Sequence, residues 1–167
     1  QTHYEVIVVG GGLTGVMMAL ALSYGGYGSA TAPAIALVDR APAHPKSPNS
    51  ESSATITPSA DHRTTTIHAA GKTMLETLGV WPLIDDMATP ITRIKIANGA
   101  PYQGGLAQRQ RPEFNLDWHD AGQPMAYVVA NDQLLDALYA VMATRPIDHI
   151  TNAEVTSFDG AGDLARL

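Results

Sequence analysis

The chain has 167 residues, 45% hydrophobic and 16% charged, the balance of a packed globular protein and not of a disordered one. A formal net charge of -6 argues against a nucleic-acid partner, which usually needs a basic face. The chain has no cysteine, which excludes disulfides, thiolate metal sites and a cysteine nucleophile, and fits a reducing compartment such as the cytoplasm.

Gln1 to Tyr4 lack the pattern of a signal peptide, and the missing initiator Met indicates a trimmed start. No apolar run approaches the length that spans a bilayer. From Glu5 to Val9 the β-branched run Val6, Ile7, Val8, Val9 ends in glycine, which predicts a strand buried on both faces. Leu13 to Tyr24 is mostly apolar, with small and unbranched residues, and predicts a buried helix that Gly25, Gly26 and Gly28 end. The connection through "YGSATAP" is long for a helix-to-strand link. A second buried strand, Ile35 to Val38, runs into Asp39.

Residues 41–60 are rich in Pro, Ser and Thr and read as a mobile surface loop. After Arg63 the helical period returns, with Ile67, Ala70, Met74, Leu75 and Leu78 at three- and four-residue steps. Gly79 closes that helix and Trp81-Pro82 turns the chain. Arg93 to Ala97 alternates polar and apolar, the pattern of a half-buried strand. Residues 98–124 carry many Gly, Pro, Gln and Asp, with one strand at Phe114 to Trp118. Asn131 suits a helix N-cap, and Leu134, Leu135, Leu138, Val141 and Met142 form the stripe of the helix behind it. Ile147 to Ile150 and Glu154 to Phe158 read as short strands, and there is no repeat or heptad pattern.

Gly10-Gly11-Gly12-Leu13-Thr14-Gly15 satisfies G-x-G-x-x-G between a buried strand and a helix, and a second strand ends in an acid. That context predicts a Rossmann-type α/β fold and a bound dinucleotide. Gly10 permits the sharp turn, Gly12 leaves no Cβ where a pyrophosphate approaches, and Gly15 lets the helix pack on the sheet. The first-turn amides, at Leu13 and Thr14, would receive phosphate. Asp39 would accept hydrogen bonds from the adenosine ribose and repel a 2′-phosphate, which disfavours NADP at this site; Arg40 beside it joins the binding set. Asp39 lies beyond the usual spacing of roughly 20 residues, and the "YGSATAP" loop accounts for the excess. The motif does not separate FAD from NAD.

"DHRTTTIHAAGKTMLETLGVWPLID", Asp61 to Asp85, resembles the stretch after the second strand in FAD-dependent aromatic-ring monooxygenases, above all the branch that hydroxylates ubiquinone precursors. In that branch an Asp-x-Arg precedes a helix ending in Leu-Gly-x-Trp, as Asp61-His62-Arg63 and Leu78-Gly79-Val80-Trp81 do here. "AYVVANDQLLDAL", Ala126 to Leu138, resembles the following strand and helix, where Val-Glu-Asn is common; Ala130 stands in place of that acid. The resemblance implies that Arg63 reaches the FAD pyrophosphate, as a bidentate guanidinium suits, with a solvated loop cation as the competing reading. It also implies a polar flavin contact at Asn131, with a plain helix cap as the alternative, and places Asp61 to orient Arg63 or cap the helix.

On the same ground the expected enzyme takes NAD(P)H as reductant and oxygen as oxidant, and FAD does the hard chemistry. No catalytic acid or base is expected among these residues. His62 and His68 read as a loop histidine and an exposed helical one, the six histidines lack metal-ligand spacing, and Trp81, Trp118 and Met17-Met18 read as packing. The family's later Gly-Asp motif has no match, since Gly162-Asp163 comes too early. The expectation is therefore the N-terminal part of a longer enzyme. Residues 1–80 and 125–167 would belong to the FAD-binding domain, and 81–124 would begin a smaller β-rich substrate-binding layer. A prenylated quinone precursor as substrate implies peripheral membrane or biosynthetic-complex contact, which no basic amphipathic helix here supports. The alternatives are another FAD-dependent oxidoreductase of this nucleotide-binding fold and a non-catalytic FAD- or ADP-binding module.

Overall fold

A computed structural model describes residues 3–24, 33–44, 63–98, 113–119, 122 and 124–160. In chain order its elements are β1 (Val6–Val9), α1 (Leu13–Tyr24), β2 (Ile35–Val38), β3 (Thr64–His68) and α2 (Ala69–Leu78). Two short 3₁₀ turns follow (Trp81–Leu83 and Asp85–Met87), then β4 (Thr89–Ile91), β5 (Arg93–Asn98), β6 (Glu113–His119), β7 (Ala126–Ala130), α3 (Asn131–Met142) and β8 (Ile147–Ile150).

β1, β2 and β8 form a parallel sheet with β2 in the middle; Val9 lies opposite Val38, and Val38 opposite Ile150. Parallel neighbours need a crossover, and α1 supplies it between β1 and β2. Val16, Ala19 and Leu20 of α1 and Leu134, Leu138 and Met142 of α3 pack with Ile35, Leu37 and Ile147 of the sheet in one core. Each of the buried Val, Leu, Ile and Met side chains among these contributes about 1.5–3 kcal/mol.

A second, antiparallel sheet has the order β3-β7-β4, with Thr64 opposite Ala130 and Thr89 opposite Val128. The segment after residue 80 thus begins on the same sheet as β3 and β7. α2 ends at Gly79, whose φ of 84° suits glycine, and the N–H of Val80 closes on Leu75 O at 2.8 Å. Leu75, Leu78, Val80, Trp81 and Ile84 carry the core to this sheet. β5 and β6 pair by themselves, antiparallel, with a register shift at Ile96/Ala97.

Several expectations need correction. Residues 64–68 are strand and not the start of a helix: the β-branched run Thr64-Thr65-Thr66-Ile67 pairs along all of β7, and α2 starts only at Ala69. Ile67 is buried from that strand, while Ala70 and Met74 are exposed. β1 is not buried on both faces; it lies at the edge of this sheet, with Ile7 38% and Val9 57% exposed. Ile94 and Ile96 of β5 are exposed too, because among the described residues β5 pairs with β6 alone. Met17 packs against the core, but Met18 is 52% exposed. Residues 154–158 form no strand, and Phe158 is exposed. The N-cap of α3 is Ala130, without a side-chain cap bond; Asn131 is already the first helical residue. Gly25, Gly26, Gly28, Asp61, His62, Gly162, Asp163 and most of the 41–60 loop lie outside the described residues. No described helix is long and apolar enough to cross a membrane.

Candidate cofactor site

The chain leaves β1 through Gly10, whose φ of 103° is a conformation that side chains disfavour. The Gly10 N–H donates to Val38 O at 2.8 Å, so the turn is tied to the end of β2. Gly15, one turn into α1, has no room for a side chain, since a Cβ there would overlap the Gly10 carbonyl. Gly12 is different: it is exposed, and a Cβ on it would meet nothing within 4 Å. The first α1 bond runs from Val16 N to Gly12 O at 3.0 Å. The N–H groups of Leu13, Thr14 and Gly15 therefore have no acceptor within the helix. No acidic side chain in the first turn offsets the positive end of the helix dipole. Thr14 is exposed, and Leu13 is half-buried against the core.

Asp39 does not simply point outward from the end of β2. Its Oδ2 accepts the Gly11 N–H at 2.9 Å and its Oδ1 accepts the Ala41 N–H at 3.1 Å. Main-chain bonds continue past the strands: Ala153 N donates to Asp39 O and Asn152 N to Ala41 O, both at 3.0 Å. Each carboxylate oxygen has two acceptor positions, so the group keeps capacity for a further donor. Arg40 is exposed beside it.

Behind the turn lies Tyr139 of α3, a buried residue that the sequence did not single out. Its hydroxyl donates to Gly11 O at 2.9 Å. Burial, with the Asp39 charge adding to it, pushes this hydroxyl up to about 12, so it stays a donor at neutral pH. The His44 ring stacks on it at 4.3 Å and its Nε2 lies 3.2 Å from Asp136 Oδ1. His149 is buried with its ring 5.4 Å from Tyr139. Burial lowers the His149 pKa; Asp39 opposes that shift and His44 adds to it.

Arg63 and Asn131 form a separate pair. Asn131 N donates to Arg63 O at 3.0 Å, and Thr65 Oγ1 donates to Asn131 Oδ1 at 2.7 Å. These bonds link the two residues to one another and to β3 rather than to the glycine turn, and the Arg63 residue is exposed. Trp81 packs as expected, with Nε1 donating to Asp85 Oδ1 at 2.8 Å; His68 is exposed at the end of β3. Among the described residues no group of His, Cys, Asp and Glu could hold a metal ion.

The sequence profile described as FAD binding domain matches residues 3–165. The chain belongs to this family. FAD is thus the ligand of the family to which the glycine turn belongs. No curated protein sequence matches this FAD-binding domain. Among solved structures it is similar to native FqzB, with a TM-score of 0.61 and 15% identity over 96% of this chain and 31% of that one. It is also similar to p-nitrophenol 4-monooxygenase PnpA from Pseudomonas putida, with a TM-score of 0.61 and 16% identity over 96% and 34% of the two chains. A variant of 2-methyl-3-hydroxypyridine-5-carboxylic acid oxygenase gives 0.60 and 18% over 96% and 35%. At such identities the likeness is one of fold. The FAD-binding domain described here spans about a third of the length of these structures.

Proposed function

We propose that the turn at Gly10 to Gly15 and Asp39 hold the adenosine-diphosphate half of FAD in a monooxygenase that hydroxylates an aromatic ring, with a ubiquinone precursor as substrate. The observation that carries this reading is the open side of Gly12 beside the first-turn N–H groups of α1, which have no acceptor within the helix. A cradle that a Cβ at Gly12 would fill, next to the positive end of a helix, suits a diphosphate. The remaining acceptor capacity of Asp39 suits the ribose hydroxyls, and Arg63 supplies a bidentate donor to the diphosphate. Arg40 and Asn131 complete the proposed set of contacts.

The chemistry that bound FAD supplies is acceptance of electrons from NAD(P)H and activation of oxygen. The residues of this chain bind and orient; none of those described is assigned a proton transfer. Residues 1–80 and 125–167 form the nucleotide-binding part of this reading, and 81–124 begin the substrate layer. A prenylated substrate brings the enzyme to a membrane surface from the cytoplasmic side.

Two experiments test it. In the first, ADP competes with FAD for the protein; failure of ADP to compete removes the adenosine half of the reading. In the second, oxygen uptake by the whole protein with NADH or NADPH is measured with prenylated and unprenylated phenols. Uptake coupled to a hydroxylated prenylphenol supports the substrate, and uptake that no phenol stimulates overturns it.

A further inference from the structure

Three consecutive glycines form the turn on which the proposed FAD site depends, and glycine peptides turn over at little conformational cost. Two side chains hold them. Asp39 Oδ2 takes the N–H of Gly11 at 2.9 Å and so fixes the peptide plane between Gly10 and Gly11. Tyr139 donates to the carbonyl of Gly11 at 2.9 Å and so fixes the next plane, between Gly11 and Gly12. Among the described residues no peptide is cis, and in a trans peptide the carbonyl and the N–H point in opposite directions. The Gly11 carbonyl faces buried Tyr139. The Gly12 N–H, in the same plane, must then face away from Tyr139, and Gly12 is exposed.

We propose that Tyr139 is a positioning residue of this site: by gripping the Gly11 carbonyl it presents the Gly12 amide to the diphosphate of the bound nucleotide. This rests on the FAD reading above and deepens it. The identity of residue 11 follows from the same contacts. A Cβ on Gly11 would lie 2.5 Å from the Tyr139 hydroxyl and would overlap Asp39 Oδ2. The middle glycine is therefore demanded by the two side chains that grip it, and not by the ligand. Tyr139 is itself braced: the His44 ring stacks on it within 3° of parallel and pairs with Asp136, one turn earlier on α3.

The test compares the full chain with its Tyr139→Phe variant, which keeps the ring and removes only the donor. ADP, FAD and adenosine are titrated by calorimetry, and melting temperatures are measured alongside. The expected result is a loss of about tenfold in ADP and FAD affinity, the scale of one hydrogen bond, with adenosine affinity held within about twofold. A merely structural role would weaken adenosine and ADP together, and that outcome overturns the inference. Unchanged ADP affinity overturns it too, while the FAD site stands. Absence of ADP and FAD binding in the wild-type protein removes the functional reading itself, and this inference with it. A readout that needs no variant is amide exchange in the wild-type protein. Slow exchange at Gly11 before ligand, with Gly12 becoming protected on addition of ADP, supports the inference; no change at Gly12 overturns it.

Discussion

Gly15 of α1 lies against the carbonyl of Gly10, so closely that a Cβ at position 15 would overlap the oxygen. The obstacle is backbone, which has no rotamer to move. In a Gly15→Ala variant either α1 shifts off β1 or the Gly10 carbonyl turns and carries the Gly11 N–H of the same peptide plane with it, breaking the bond from Gly11 N to Asp39 Oδ2. Overpacking of this kind costs about 1–3 kcal/mol. A lowered melting temperature and weakened ADP binding are expected together. A melting temperature equal to wild type would show that the helix is not held where the structure puts it.

Gly12 gives the opposite expectation. No atom stands within 4 Å of a Cβ added there, and its φ is not positive, so a side chain costs the fold little. It would, however, occupy the side that the proposed diphosphate needs. Gly12→Val should keep the wild-type circular dichroism and melting curve while abolishing binding of FAD and ADP. Retained ADP affinity in a folded variant would place the ligand elsewhere.

These two glycines also show how far the sequence could be read. α1 and β2 were legible to the residue, because apolar runs ended by glycine or a charge carry their boundaries locally, and β8 was legible as a short run framed by two isoleucines behind Pro146. β3 was not: its three threonines look polar, and what makes them strand is pairing with β7 some sixty residues away. Asp39 announced itself by its place at the end of β2. Its hydrogen bond to Gly11 did not, since the motif treats the middle position as a spacer. Tyr139 was invisible for a related reason: its partner lies 128 residues off in sequence. The one local clue was a hydroxyl inside an apolar helix, which has to find an acceptor once it is buried.

Trp81 tests the packing between α2 and the antiparallel sheet. It is 4% exposed, meets the Tyr127 ring edge-on at 5.0 Å and has the Lys72 ammonium 5.0 Å from its own ring centroid. Trp81→Ala should cost about 3–5 kcal/mol, the range for deleting a buried aromatic ring. Chemical denaturation reads this directly. A loss below about 1 kcal/mol would mean that the site collapses around the gap and that Trp81 does not anchor β7.

His149 makes stability depend on pH in a definite direction. It is buried on β8, and burial holds its pKa below the ordinary histidine value of 6.5, with His44 adding to the shift and Asp39 opposing it. The unfolded chain therefore binds a proton at a pH where the folded chain does not. Well above 6.5 neither state is protonated and His149 contributes no slope; as pH falls through 6.5 and below, stability is lost. Melting temperatures between about pH 8 and pH 5.5 should fall at the acid end, and His149→Leu should flatten that fall. Ring signals in NMR should show His149 still neutral at pH 6.5, the ordinary histidine value. Protonation of His149 at the ordinary histidine value would mean that the interior beside Tyr139 is open to water, and the raised hydroxyl pKa there would lose its cause.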